Sequence, residues 1–164
     1  MNFESFLSDI LATIAGGVLL AILFFWSREK LFPLPDITGR WFFQIRTRQS
    51  DYRPYDDMVL KYVTLLWREG ARIEGTVEKY YEISSTGERE YVGKDRTRGR
   101  VEGYVEKKYF GKDRAYLHVV EEGHGRQSTN FYELLVESGL KMSGTFTSMV
   151  ANQEGDTTWQ REEF

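Results

Sequence analysis

Between Ile10 and Trp26 the chain runs for seventeen residues without a charged side chain, ILATIAGGVLLAILFFW, and no comparable run follows. A bilayer core takes about 20 mostly apolar helical residues to cross. Extending the run back through Phe6 and Leu7 reaches that length and includes only one charge, Asp9. The stretch predicts a single transmembrane α-helix ahead of a small soluble domain. A cleaved signal peptide would begin with basic residues and end in small ones. Here the start carries Glu4 and Asp9, and the end is Phe24-Phe25-Trp26, so retention of the helix is expected.

The flanks predict an orientation. Residues 1–9 hold no Lys or Arg, whereas Arg28, Lys30, Arg40, Arg46 and Arg48 follow the helix. Short basic flanks stay in the cytoplasm, which puts the N-terminus outside and the C-terminal domain inside. The lack of cysteine suits a reducing compartment. Trp26 and Phe32 fit an interfacial belt. Pro33-Leu34-Pro35 makes a short stiff spacer. The expected division is residues 1–31 as helix and flanks, 32–36 as linker, and 37–164 as the soluble domain. Ala12 and Gly16, Thr13 and Gly17, and Gly17 and Ala21 are four apart. Small residues at that spacing let helix backbones approach in lipid, so Ala12, Gly16, Gly17 and Ala21 are the candidate self-association face.

Beyond Pro33, twenty Lys or Arg residues face twenty-two Asp or Glu, which leaves no basic field for DNA or long RNA. Period-two alternation predicts strands at Trp41–Thr47, Met58–Trp67, Arg72–Ile83, Arg98–Tyr109, Arg114–Glu121, Gln127–Val136, Leu140–Ala151 and Thr157–Glu162. Turn signals separate them, among them Ser84-Ser85-Thr86-Gly87 and Gly123-His124-Gly125. The expectation is an all-β fold, an antiparallel meander of about eight strands closed into a barrel so that no long edge is exposed, with a sandwich as the alternative.

Two segments nearly repeat. Arg72-Ile73-Glu74-Gly75-Thr76-Val77-Glu78-Lys79 and Arg100-Val101-Glu102-Gly103-Tyr104-Val105-Glu106-Lys107 agree at six of eight positions. Lys141–Phe146 is a looser third copy around Gly144. A glycine inside a strand marks a bend or a close backbone approach; the other reading is room for an interior ligand.

Asp36-Ile37-Thr38-Gly39-Arg40-Trp41 opens the first strand with Gly-x-Trp, and Thr158-Trp159-Gln160-Arg161 closes the last. In these positions the residues resemble lipocalins, in which an arginine near the last strand packs across the first-strand tryptophan. The resemblance implies structural roles for Gly39, Trp41 and Arg161. An N-terminal membrane helix, a Pro-containing spacer, then Gly-x-Trp and a compact barrel also resemble the membrane effectors of CBASS anti-phage systems. That resemblance covers nearly the whole chain in architecture and implies a bacterial inner-membrane protein. In such effectors a lipocalin-like barrel senses a cyclic oligonucleotide, and membrane segments assemble to breach the bilayer. The usual member has two spans, whereas one is found here, and the ligand can activate or silence. The competing reading is a membrane-anchored lipocalin-like carrier for a lipid or other small apolar ligand.

The residues themselves nominate a ligand site. With Trp41 inward, Phe43, Ile45 and Thr47 follow on the same face. The phase of Ile73, Gly75 and Val77 carries Lys79 and Tyr81 inward, and the repeat carries Lys107 and Tyr109 the same way. Two lysines and two tyrosines meeting at one mouth would supply charge for phosphate and rings for bases. The alternative is that both lysines sit on frayed, solvated strand ends. Either Lys61 or Tyr62 must face inward, and both phases of that strand are apolar. The expected partner is a cyclic di- or trinucleotide, with the bilayer and further copies of the chain. The tract Lys94–Arg100 is the densest basic cluster, suited to phosphates or to solvent. No nucleophile elbow, P-loop or dinucleotide fingerprint occurs, so no enzyme is expected. His118 and His124 complete no known metal site, and no metal or other cofactor is expected.

The orientation is testable because the chain has no native cysteine. A thiol introduced at Ser85 should resist an impermeant reagent in intact cells and react after lysis. Labelling without lysis would reverse the topology.

Overall fold

The structure is a computed structural model that describes residues 3–30, 33–123 and 126–164. Phe32, His124 and Gly125, named above in the spacer and a turn, lie outside the described residues. The chain divides into two units, Met1–Leu34 and Pro35–Phe164.

The described residues of the first unit form one helix, α1 (Phe3–Lys30), and the start of the segment that follows it. Its segment Phe6–Ser27, 22 residues, is long and apolar enough to cross a membrane. Leu19, Leu20 and Phe24 are each about two-thirds exposed, which is not the burial of a soluble core helix.

The second unit is a closed antiparallel barrel. Its strands are β1 (Gly39–Gln49), β2 (Val59–Glu69), β3 (Arg72–Ser84), β4 (Gly87–Glu90), β5 (Thr97–Glu106), β6 (Arg114–Gly123), β7 (Arg126–Ser138), β8 (Lys141–Ser148) and β9 (Gln153–Gln160). The sheet order is β2-β1-β9-β8-β7-β6-β5-β3-β4, and pairing of β2 with β3 closes the ring. The eight-stranded meander expected from period-two patterning is therefore present, with strand ends shifted by a few residues. The short β4 is an addition. It pairs only with Tyr81–Ser84 of β3, beyond the part of β3 that β5 covers.

An eight-stranded barrel is just wide enough for side chains to fill. Every second residue of β1 points inward, so Trp41, Phe43, Ile45 and Thr47 are buried. The Phe43 ring stacks between Tyr62 at 4.7 Å and Trp159 at 3.9 Å, and Tyr132 meets both Phe43 and Trp159 edge-on. On β2 the inward phase is that of Tyr62, Thr64 and Leu66, whereas Leu65 and Trp67 are about half exposed.

The end at which the chain enters the barrel is sealed. Ile37 is fully buried, and its carbonyl accepts a hydrogen bond from Trp41 Nε1 at 2.8 Å. The Arg161 guanidinium lies 3.8 Å from the centre of the Trp41 ring and donates to the carbonyls of Arg40 and Gly139. Such stacking joins a cation–π attraction to satisfied donors.

The repeated strand glycines have a steric origin. A β-carbon on Gly75 would stand 2.6 Å from the carbonyl oxygen of Leu65, and one on Gly103 only 2.0 Å from that of Tyr116. Neighbouring strands thus approach too closely for any side chain, as strong coiling of a small barrel requires. Gly103→Val should lower stability by about 1–3 kcal/mol or more through overpacking. The urea midpoint of the full chain in detergent, followed by tryptophan fluorescence, measures this; an unchanged midpoint would contradict it.

Candidate functional site

Opposite the sealed end, the barrel opens into a cavity of about 220 Å³. The end of β1, the start of β2, the end of β3, the end of β6, the starts of β7 and β9 and the end of β8 form its wall. Ile45, Leu60 and Phe146 give it apolar sides, while Tyr62, Lys79, Glu82, Glu121, Asn130 and Gln153 give it polar ones.

Glu121 is the central acid. Along β6 it continues the inward phase of Ala115, Leu117 and Val119 and is 5% exposed. Asn130, on the inward phase of β7, donates from Nδ2 to Glu121 Oε1 at 2.8 Å. The Tyr62 hydroxyl also hydrogen-bonds to this carboxyl, and the Lys79 charge acts on it favourably. Burial outweighs these three effects and raises the Glu121 pKa above its usual range. Burial also raises Tyr62 and Tyr132, with Glu121 adding to both. The Tyr132 hydroxyl is buried and has no hydrogen-bond partner among the described residues.

A second layer crosses the rim. Lys79 Nζ lies 3.4 Å from Glu82 Oε2 and 4.7 Å from the centre of the Tyr91 ring. Tyr91 donates to the same Glu82 oxygen at 2.8 Å, and burial pushes its pKa to about 12. The hairpin that adds β4 to β3 brings Tyr91 here, since Tyr91 N bonds to the carbonyl of Tyr80. Further out on β1, Arg46 pairs with Asp57 at 2.9 Å and Arg48 with Asp156, both exposed and therefore weak. The mouth is thus balanced in charge rather than cationic.

Among the residues nominated from sequence, Lys79 and Tyr62 line this cavity. Thr47 is fully buried beside it and donates to Gln153 at 3.2 Å. The convergence of Lys79 and Tyr81 with Lys107 and Tyr109 does not occur. Because β3 and β5 are antiparallel neighbours, Lys79 pairs with Thr97 while Arg72 pairs with Tyr104. Lys107 and Tyr109 follow β5 at the other end of the barrel, where Lys107 bridges Asp113 at 2.9 Å and Tyr109 is 58% exposed. Tyr81 is corrected for a different reason. Opposite the consecutive residues Lys61 and Tyr62, β3 pairs through Tyr81 and Lys79, which leaves Tyr80 as a bulge. The extra residue flips the phase. Glu82 then faces the cavity, and Tyr81 goes to the outer wall. There the Lys61 ammonium sits 5.2 Å from the centre of its ring, and its hydroxyl donates to Glu88. Lys61 is therefore outward and Tyr62 inward. Tyr80 is buried against the edge of Phe42.

Sequence reasoning missed Glu121, Asn130, Glu82 and Gln153. The signal was present for the first two: polar residues in phase with Val119 and Tyr132 near a strand end are carried inward by the period of two. In the basic tract, Arg96 and Arg98 both pair with Glu78. A wider open groove of about 900 Å³ crosses the outer wall, where Tyr104 stacks on Tyr116 and His118 on Phe131. No group of three metal-ligating side chains suited to an ion occurs among the described residues.

No protein-family profile matches the chain, and no curated protein sequence matches it. Solved structures do. A de novo designed fluorescence-activating β-barrel aligns with TM-score 0.50 and 18% identity over 76% of this chain and 93% of its own. A redesigned barrel bound to DFHBI, mFAP0, aligns with TM-score 0.54 and 12% identity over 76% and 98%. A further barrel bound to DFHBI, EF1p2_mFAP2b, aligns with TM-score 0.55 and 11% identity over 77% and 94%. At these identities the likeness is one of fold.

The buried acid carries a pH dependence. The folded state holds the Glu121 proton more tightly than the unfolded chain, whose value is near the usual 4.5. The stability it contributes is complete below that value and is lost as pH rises through the higher folded one. Gln mimics the protonated form, so Glu121→Gln should gain on the parent as pH rises from about 4 to about 8. Unfolding midpoints across that range test this, and a constant difference would contradict it.

Proposed function

We propose that this protein is a membrane-anchored receptor for a cyclic oligonucleotide. The barrel lies in the cytoplasm, its mouth takes part of the ligand, and α1 associates with further copies to disrupt the bilayer. The observation that carries the reading is the contrast between the two ends of the barrel interior. One end is sealed by Ile37, Trp41 and Arg161. The other gathers Lys79, Asn130, Tyr62 and two carboxylates around a cavity.

The cavity's 220 Å³ is below the roughly 300–1,000 Å³ of pockets that enclose a whole ligand. One flat heterocycle fits, and the sugar–phosphate ring is left at the rim. There Lys79 is the cation for a phosphate, in competition with Glu82. Because the ammonium is already paired and the mouth is balanced in charge, binding should weaken only modestly with salt. That structures of this fold are bound to DFHBI supports small-molecule binding by such a barrel. The three-ring stack of Tyr62, Phe43 and Trp159 fills the bore beneath the cavity. That packing weighs against the lipocalin-like alternative, since an acyl chain would have to displace it.

The full chain reconstituted in dye-loaded vesicles, titrated with a panel of cyclic di- and trinucleotides, tests this. One member should bind and change leakage, whether by triggering or by suppressing it. Gly17→Leu, which separates packed helix backbones, should abolish leakage and keep ligand affinity. If no member binds, the reading fails; if Gly17→Leu leaks like the parent, α1 is an anchor only.

A further inference from the structure

One buried polar group of the mouth is a carboxyl with unused capacity. An ionised carboxylate offers about four acceptor positions. Asn130 Nδ2 and the Tyr62 hydroxyl occupy two at Glu121. The remaining lone pairs belong to a side chain that is 5% exposed and lines the cavity. Lys79 favours its ionised form against the burial that raises its pKa, and the buried Tyr132 hydroxyl, without a partner among the described residues, lies within electrostatic reach. Such a cluster is completed by a ligand that donates and does not accept at this point, because a second acceptor would face the carboxylate across a low-dielectric gap.

We propose that Glu121, held by Asn130 and Tyr62, is a base-reading residue that selects guanine in the ligand. The inference rests on the cyclic-oligonucleotide reading above and adds to it the identity of the base. Guanine carries N1–H and the N2 amino group side by side, two parallel donors that match the fork of a carboxylate. Adenine and cytosine place an amino donor beside a ring-nitrogen acceptor. Uracil has one N–H between two carbonyls. Each of those turns at least one lone pair toward Glu121. A site built around a buried hydrogen bond rejects ligands that cannot make it, since its own polar groups are then left unpaired.

The test uses the full chain in detergent micelles and calorimetry with three probes at one salt concentration: cyclic diguanylate, cyclic diinosinate and cyclic diadenylate. Cyclic diguanylate should bind most tightly. Cyclic diinosinate, which keeps N1–H and lacks the amino group, should bind roughly ten- to a hundredfold more weakly, and cyclic diadenylate more weakly still. In Glu121→Gln, whose side chain offers one acceptor and one donor, the advantage of the guanine ligand should collapse while adenine ligands lose little. Lys79→Met should weaken all three through the lost phosphate contact and, by removing a charge that favours the Glu121 carboxylate, narrow the guanine advantage, with cyclic diguanylate still the tightest. Equal or tighter binding of cyclic diadenylate by the parent overturns the base assignment and leaves the cyclic-nucleotide reading standing. Absence of binding by all three, and by the wider panel, overturns both.

Discussion

Phe43 lies between Tyr62 and Trp159 with ring centres 4.7 and 3.9 Å away, and the rest of the barrel is arranged around that stack. Eight strands enclose a bore about one layer of side chains wide. Three aromatic rings laid face to face from β1, β2 and β9, with Tyr132 from β7 against their edges, occupy it. Burying rings of this size supplies much of the apolar contact available to a domain of about 130 residues. It also divides the interior. What lies toward the chain entry is capped by Ile37 and Trp41, and what lies on the other side of the stack remains open.

The open end owes its chemistry to one irregularity. A regular β3 would carry Tyr81 inward after Val77 and Lys79. The bulge at Tyr80 turns Tyr81 out and Glu82 in, and it lets β3 run past β5 to receive β4. From that hairpin comes Tyr91, which joins Lys79 and Glu82 in one bonded group. A bulge next to a site is a common way to re-aim side chains. Here it replaces a phenol by a carboxylate at the rim and fixes Lys79 of the cavity wall in an ion pair.

Glu121 and Lys79 set the electrostatic character of the mouth. Both are held away from bulk water, so their interaction is screened less than that of the Arg46–Asp57 pair on the surface. The carboxyl keeps a raised pKa even with an ammonium, an amide and a phenol around it, because desolvation is the larger effect. A ligand that donates hydrogen bonds would restore much of what burial removes. A simple anion would have to displace Glu82 and approach a second acid. A ligand with donors at its tip and negative charge behind it would meet both demands, and the proposed nucleotide has that profile.

How much of this was legible in the residues follows from the range of the interactions involved. The apolar run Ile10–Trp26, the period of two in each strand, the turn signals and the Gly-x-Trp opening are local. They determined one long apolar helix and an antiparallel meander of about eight strands. Lys79 and Thr47 were legible as inward residues, since both lie on strands whose apolar phase is unambiguous up to that point. The repeat around Gly75 and Gly103 was visible, and so was the close backbone approach its glycines permit, but where its lysines would end was not. Near-identical segments on adjacent antiparallel strands point in opposite directions, so Lys79 and Lys107 end at opposite mouths. The phase of β2 was undecidable while both its faces were apolar, and only closure of the ring put Tyr62 inside and Lys61 outside. The pairing of β3 with β2, β4 and β5 decided the bulge, and with it Tyr81, Glu82 and Tyr91. Closure also brought Glu121 of β6 and Asn130 of β7 around to face Lys79 and Tyr62. These are interactions between residues 9 to 59 positions apart, which local periodicity does not encode.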